Sequence, residues 1–414
     1  MNCACDYGKL MPYEAGLAQL VAAAVAIEET ESVVLQNALG RVLAQDVTAS
    51  INVPPAANSA MDGYAMCAAD IVIGQVYQVS QRVTAGQQPE PLKSGTLVRL
   101  FTGSHIPLGA DTVVMQEAVT LVDDQAPELG VCFSALPSQG DHIRPAGQDI
   151  TQGATVAHSG QGITPQLMGV LASIGVVSVR VKRKLKVAIV NTGDELIMPG
   201  EVCGEGKIYN SNLFTLTGLL QRMGCDVIAS GIVADTPAST RAALLAAAAE
   251  ADVVITSGGV SVGEEDHVKG IVEELGQLDL WRLAIKPGKP LAFGRIRQTP
   301  FIGLPGNPSA VLVTFLMLAR PYLLAMQGHH KVTPNSFKVK AAFGRDKIVS
   351  RTEFVRVNLS SLNGELEAHV KATQSSGALS SAVLAQGLMV AHADSQWQAG
   401  DLLDFIPFSE LGAA

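Results

Sequence analysis

Cysteine is scarce and poorly spaced for cross-linking: the six residues are Cys3, Cys5, Cys67, Cys132, Cys203 and Cys225. Only the first two are close, with one residue between them, which matches neither a zinc-ligand spacing nor a disulfide framework. Charge is sparse as well, at 16% of residues, and its balance of −9 with a pI near 5.4 disfavours general binding to nucleic acid. An anionic ligand would need local cations. Although 48% of residues are hydrophobic, no uninterrupted apolar run reaches the roughly 18 residues of a spanning helix. The alanine-rich stretch 244–249 stops at Glu250 and Asp252. The N-terminus lacks the basic start and apolar region of a signal peptide, so the expectation is a cytoplasmic chain without a membrane partner. No serine–histidine–aspartate arrangement, Cys–His pair or His-rich zinc motif stands out. Nucleophilic catalysis therefore has no support, and the histidine pair His329–His330 reads as linker.

What is present is length and alternation. A chain of 414 residues exceeds what one hydrophobic core usually supports, which predicts two to four domains. Residues 13–26 and 33–42 carry helical patterns, and 47–149 changes to short β-prone runs (76–79, 96–101, 112–116, 119–122) broken by glycine and proline. Thr164-Pro165 and Gly175 bracket a helix that returns the chain to its first element. From residue 187 strands (187–190, 227–232, 253–257, 301–304) alternate with helices (212–223, 237–251, 267–275, 308–326), which predicts a doubly wound, mostly parallel α/β sheet. Five β-prone runs follow residue 328 (336–343, 354–360, 365–371, 387–392, 402–407). The expected organisation is an α/β plus β, multidomain chain: residues 1–48 with 150–184 as a linking element, 49–149 as an inserted β-rich domain, 185–328 as the α/β core, and 329–414 as a C-terminal β domain.

In such a sheet ligands lie beyond the C-terminal ends of the strands, and each cluster of the core falls there. Asn191-Thr192-Gly193-Asp194-Glu195 places two carboxylates beside a tight turn. Ala234-Asp235-Thr236-Pro237 opens a helix, and Asp235 reads equally well as its cap. The run Thr256-Ser257-Gly258-Gly259-Val260-Ser261-Val262-Gly263-Glu264-Glu265-Asp266 joins amides that can cradle phosphate to acids that can hold hydrated magnesium. Glu264 and Glu265 read better as first-turn acids of the next helix. Lys286-Pro287-Gly288-Lys289-Pro290 and Gly303-Leu304-Pro305-Gly306-Asn307-Pro308 bring two lysines and a stiff turn to the same edge, which suits anion recognition, although the second alone reads as a turn. Outside the core lie Asn58-Ser59-Ala60-Met61-Asp62-Gly63-Tyr64-Ala65, Phe101-Thr102-Gly103-Ser104 and Arg144-Pro145-Ala146-Gly147-Gln148-Asp149.

Together SAMDGYA, TGDEL, TSGGVSVGEEDH, AIKPGKP and GLPGNP, in this order over nearly the whole chain, resemble the MoeA/gephyrin E-domain family. The resemblance implies four domains with a MogA-like core, an elongated homodimer, and a molybdopterin molybdenumtransferase. Such an enzyme inserts molybdenum from molybdate into adenylylated molybdopterin, with Mg²⁺-dependent hydrolysis that releases AMP. Carried over by position, the catalytic residues would be Asp62, Thr102, Asp149, Glu195, Asp235 and Asp266, with Asp235 and Asp266, and Glu195 as a further candidate, at the Mg²⁺. Substrate binding would fall to Arg144, Ser257, Gly258, Gly259, Ser261, Gly263, Lys286, Lys289, Pro305, Asn307 and Pro308. Asp62 and Thr102 would come from the partner subunit. Arg356 and Ser376 match weakly, and Arg282 stands where a lysine is common. A pterin adenylyltransferase and molybdenum-enzyme acceptors are implied partners. Two other readings stay open: a molybdopterin carrier without catalysis, and an adenylyltransferase that loads the adenylate.

Overall fold

The computed structural model describes residues 10–123, 125–126, 130–259, 267–288, 290–362 and 364–413. The helix Tyr13–Ala23 opens the chain as expected, but residues 33–42 are not helical. Thr30–Val34 is a strand paired antiparallel with Ser178–Lys182, followed by a short 3-10 turn, Leu35–Asn37. Adjacent Val33 and Val34 favour the extended backbone once a partner strand is at hand. That pairing, and the one between Val47–Thr48 and Thr155–Ala157, ties the returning segment to the first. The helix Pro165–Ser173 is capped by Thr164, whose side chain accepts from Leu167 N–H.

The inserted segment forms a six-stranded sheet in the order 112–115, 63–66, 96–100, 76–83, 131–133, 119–121. The SAMDGYA stretch is therefore no isolated loop: Asn58–Ser59 and Gly63–Met66 are strands around the turn that carries Asp62. Gly63 is required there, because a Cβ would lie 2.1 Å from the Val114 carbonyl oxygen of the neighbouring strand.

The core sheet runs 226–233, 186–192, 253–257, 299–304, 290–296, 276–282. The first four strands are parallel, and the last two, Pro290–Ile296 and Gly276–Arg282, form an antiparallel extension that the sequence pattern did not announce. Side chains alternate across the parallel strands. Val187, Ile189, Val253 and Ile255 join one core with Leu213, Leu216 and Leu220 of the helix Ser211–Arg222. Ala188, Val190 and Val254 join another with Leu244 of Pro237–Glu250 and Ile271 of His267–Leu275. Burial on both faces explains the continuous apolar runs of these strands.

The helical stretch Pro308–Met326 is interrupted by a π segment, Phe315–Ala319. It is long and apolar enough by length and composition to cross a membrane, yet 89% of its most apolar window is buried inside the protein, as befits a central core helix. Pro321 has no N–H to offer the Met317 carbonyl four residues earlier, and that oxygen accepts from the Tyr13 hydroxyl at 3.2 Å.

The last sheet runs 285–286, 352–362, 365–369, 337–341, 402–407, 387–391, and a further pairing of 352–362 with 387–391 closes it into a small barrel. Its interior holds Val339, Val355, Met389 and Phe405. Ile285–Lys286 pairs with its strand Thr352–Leu362, which fastens a loop of the core to the barrel. Phe354, Leu388 and Ile406 enter the same apolar cluster as the core sheet, so this seam is packed.

Candidate active site

The core loops converge as their strand order predicts. Asp194 Oδ1 accepts from the backbone N–H of Asp235 at 3.2 Å, which ties the Gly193–Glu195 turn to the following strand end. Lys207 Nζ donates to the Asp194 carbonyl. The helix Pro237–Glu250 is capped by Thr236, whose hydroxyl accepts from Ser239 N–H at 3.2 Å, so Asp235 is not needed for that purpose. Beside this pair, Asn191 Nδ2 donates to Ser257 Oγ at 2.5 Å, both residues buried. Gly258 donates its N–H to Leu304 O at 3.0 Å, and Asn212 Nδ2 donates to Gly306 O at 2.8 Å. The loops after 253–257 and 299–304 thus lie against each other. Ser261, Gly263 and Asp266, together with Glu264, Glu265 and Lys289, lie outside the described residues.

Pro308 opens the core helix, and the freed N–H groups of Ser309 and Ala310 donate to the Ser376 carbonyl at 2.9 and 3.3 Å. This brings the barrel's 373–376 loop to the Pro305–Pro308 turn. Together with Lys286–Gly288 and Arg351 it lines a cleft of about 570 Å³. Gly288 has φ +93°, and a Cβ there would lie 2.5 Å from Thr314 Oγ1.

Electrostatics single out this cleft. Lys286 Nζ lies 2.8 Å from Glu353 Oε1, and Glu353 also pairs with Arg345. Burial first, then the nearby guanidinium groups of Arg345, Arg351 and Arg356, pull the Lys286 ammonium below its ordinary pKa. Arg356 is 2% exposed. It donates through Nη2 to the carbonyls of Thr373 and Ser375, at 3.4 and 3.2 Å, while its Nε and Nη1 find no partner among the described residues. Lys286 and Arg345 thus share one carboxylate while Arg351 and Arg356 add positive charge near Lys286, an arrangement that favours an anion in the cleft.

The remaining sequence-derived residues lie on the inserted sheet and its margins. Asp62 Oδ1 accepts from Thr102 N–H at 2.8 Å and from Thr102 Oγ1 at 3.0 Å. The backbone bond, then the hydroxyl bond, hold its exposed carboxyl below the usual range. Arg99 stacks on Tyr64 and Phe101, with its guanidinium 4.7 and 5.1 Å from the ring centres. Arg144 is exposed on the short strand Ile143–Arg144, in register with Asn58. Asp149 is exposed and held through its N–H to Val53 O at 2.9 Å. Asp62 meets Thr102 directly, whereas Lys286 belongs to a different sheet from Arg144.

The chain is similar to known proteins along most of its length. The pattern described as the MoeA N-terminal region (domain I and II) matches residues 11–175, a probable molybdopterin binding domain matches 188–325, and the MoeA C-terminal region (domain IV) matches 338–408. The molybdopterin molybdenumtransferase of Haemophilus influenzae is 39% identical over 389 residues, covering 92% of this chain and 95% of that protein. The chain belongs to the MoeA family. The molybdopterin molybdenumtransferase of Bacillus subtilis is 33% identical over 350 residues, 82% of this chain and 80% of that one. A crystal structure of the molybdopterin biosynthesis MoeA protein of Pyrococcus horikoshii superposes with a TM-score of 0.81 at 29% identity, covering 96% of this chain and all of the other.

Sequence reasoning missed Arg345, Arg351 and Glu353, which meet around Lys286 only because the barrel strand pairs with the core loop. A usable signal was the gathering of arginines at 345, 351 and 356 around one glutamate in an acidic chain.

Proposed function

We propose that the chain is a molybdopterin molybdenumtransferase that takes molybdenum from molybdate to adenylylated molybdopterin, with hydrolysis of the adenylate and release of AMP. The observation that carries this reading is the cation surplus in the 570 Å³ cleft. A tetrahedral dianion in the cleft would accept from Lys286, Arg351 and the hydroxyls of the 373–376 loop, with the buried Arg356 charge behind them. Arg144 would add a cation from the inserted domain. The amide of Gly259, at positive φ, would offer a donor to a phosphate between the cleft and the acids. Asp62 and Thr102, already joined, would be supplied by a second copy of the chain and act on the substrate from the opposite side.

Among the described residues no group of three His, Cys, Asp or Glu side chains gathers to hold a metal. Mg²⁺ keeps several of its waters and needs only one or two carboxylates, so the hard oxygen donors at these strand ends fit it in kind. Asp235 and Asp266 would hold the ion, with Glu195 orienting the hydrolytic water or joining them. When bound, magnesium would neutralise and orient the adenylate phosphates for cleavage.

The test is AMP release from the purified protein given adenylylated molybdopterin, Mg²⁺ and molybdate. Molybdate-dependent release without ATP, lost in Asp235→Ala and requiring about tenfold more molybdate in Lys286→Ala, is the expected result. Pterin binding without AMP release would make the chain a carrier, and a requirement for ATP would make it an adenylyltransferase.

A further inference from the structure

Lys286 reaches the cleft on a long, flexible side chain that is 43% exposed, yet its ammonium is not loose. Residues Lys286 and Glu353 are in register where Ile285–Lys286 pairs parallel with Thr352–Leu362, so their side chains stand together on one face. Glu353 is 6% exposed and lies between two cations, Lys286 at 2.8 Å and Arg345. Arg345 is fixed in turn: its guanidinium lies 4.7 Å from the ring centre of Trp397, its register partner in the pairing of Arg345–Val349 with Ser395–Trp397. A buried carboxylate anchored at one end leaves Lys286 a defined direction. An ammonium has three N–H donors, and Glu353 occupies one, which leaves two for a ligand.

We propose that Glu353, itself fixed by Arg345 and Trp397, is a positioning residue that aims the Lys286 ammonium into the cleft and so sets its affinity for the oxyanion. This rests on the reading of the cleft as the molybdate site. Two effects of losing Glu353 oppose each other. Removing a negative charge makes the cleft more positive, which draws anions in, whereas freeing Lys286 disperses a donor the anion uses. Replacing the ion pair as a unit separates them, because Arg345→Met with Glu353→Gln leaves the net charge unchanged.

The experiment measures molybdate KM and kcat for AMP release, and molybdate binding by equilibrium dialysis, on the full chain. In the charge-neutral double variant KM and dissociation constant should rise about tenfold while kcat at saturating molybdate changes less than about twofold. Glu353→Gln alone, whose amide oxygen still accepts from Lys286, should show a smaller rise than Glu353→Ala. On a Lys286→Ala background the Arg345/Glu353 replacement should change neither constant further, since a residue acting through Lys286 has nothing left to position. An unchanged or lower KM in the double variant overturns the proposal. So does an equal loss with and without Lys286, which would mark a purely structural effect. Should the double variant not fold, Glu353→Gln taken through the same Lys286→Ala cycle decides the question alone. If Lys286→Ala itself leaves molybdate binding intact, the reading of the cleft has failed instead.

Discussion

Tyr13 and Pro321 are 308 residues apart in sequence, and the core helix depends on their meeting. Proline denies the Met317 carbonyl its usual donor, and the Tyr13 hydroxyl supplies one at 3.2 Å. Burial pushes the phenol's pKa upward, so it remains a donor across the working pH range. Tyr13→Phe keeps the ring, and with it the edge contact to Phe354 at 5.1 Å, so the perturbation is confined to the hydroxyl. Leaving a largely buried carbonyl unsatisfied costs about 1–2 kcal/mol. That corresponds to a Tm lowered by roughly 2–6 °C in calorimetry of a unit this large. Pro321→Ala returns an N–H to position 321, which can then serve the same carbonyl. On that background Tyr13→Phe should cost under about 0.5 kcal/mol, giving a coupling of about 1 kcal/mol between two sites distant in sequence. Equal costs on both backgrounds, or no cost on either, would refute the reasoning.

His329 is half-buried just beyond the end of the core helix, where burial first, then the charges of Arg320 and His330, bring its pKa from 6.5 to about 4. The unfolded chain therefore binds more protons between these values, and stability should fall as pH drops from about 6.5 toward 4, by about 1–2 kcal/mol at pH 5, a slope that His329→Gln flattens in urea titrations. Gly288→Ala places a methyl group 2.5 Å from Thr314 Oγ1 on backbone at φ +93°. It should lower stability by about 1–3 kcal/mol and raise the molybdate KM, read from unfolding curves and AMP release, and wild-type values in both would show that the loop relaxes freely.

Where local chemistry and tertiary context agree, the elements were readable from the sequence. The strand Val253–Ser257 and the helix His267–Leu275 fall where the apolar pattern puts them, and Thr164-Pro165 starts its helix through the capping bond that such a pair suggests. The five motifs identified the family, and those of the core, in their described parts, lie at strand ends. Failures share one cause, which is pairing with a segment remote in sequence. Residues 33–42 carry a helical spacing that the strand at Ser178–Lys182 overrides. The strand Arg345–Val349 holds Arg345, Asp346 and Lys347 in succession, which masks alternation until Trp397 pairs with it. The antiparallel pair Gly276–Arg282 and Pro290–Ile296 is joined through a loop rich in proline and glycine, which gives no alternation to mark the strands on either side. The Glu353 contact with Lys286 follows from a two-residue strand, too short for any periodicity to reveal.

The placement of charge along the core sheet has its own logic. Asp194, Glu195 and Asp235 follow the two strands at one edge, 186–192 and 226–233, whereas Lys286 follows the strand at the opposite edge, 276–282. Between them come the loops after 253–257 and 299–304, which in their described parts contribute Gly258, Gly259, Pro305, Gly306 and Asn307 and no charge. Had the acids and the lysine shared one loop they would pair, and both would be lost to ligands at the strength an ion pair holds when partly buried. Separated by neutral loops, the acids remain able to hold a cation and the lysine to hold an anion. A substrate carrying phosphates can then span the two. The carboxylate placed among the cations, Glu353, comes from the barrel and is itself neutralised by Arg345, so it directs Lys286 while leaving the positive charge of the cleft largely intact.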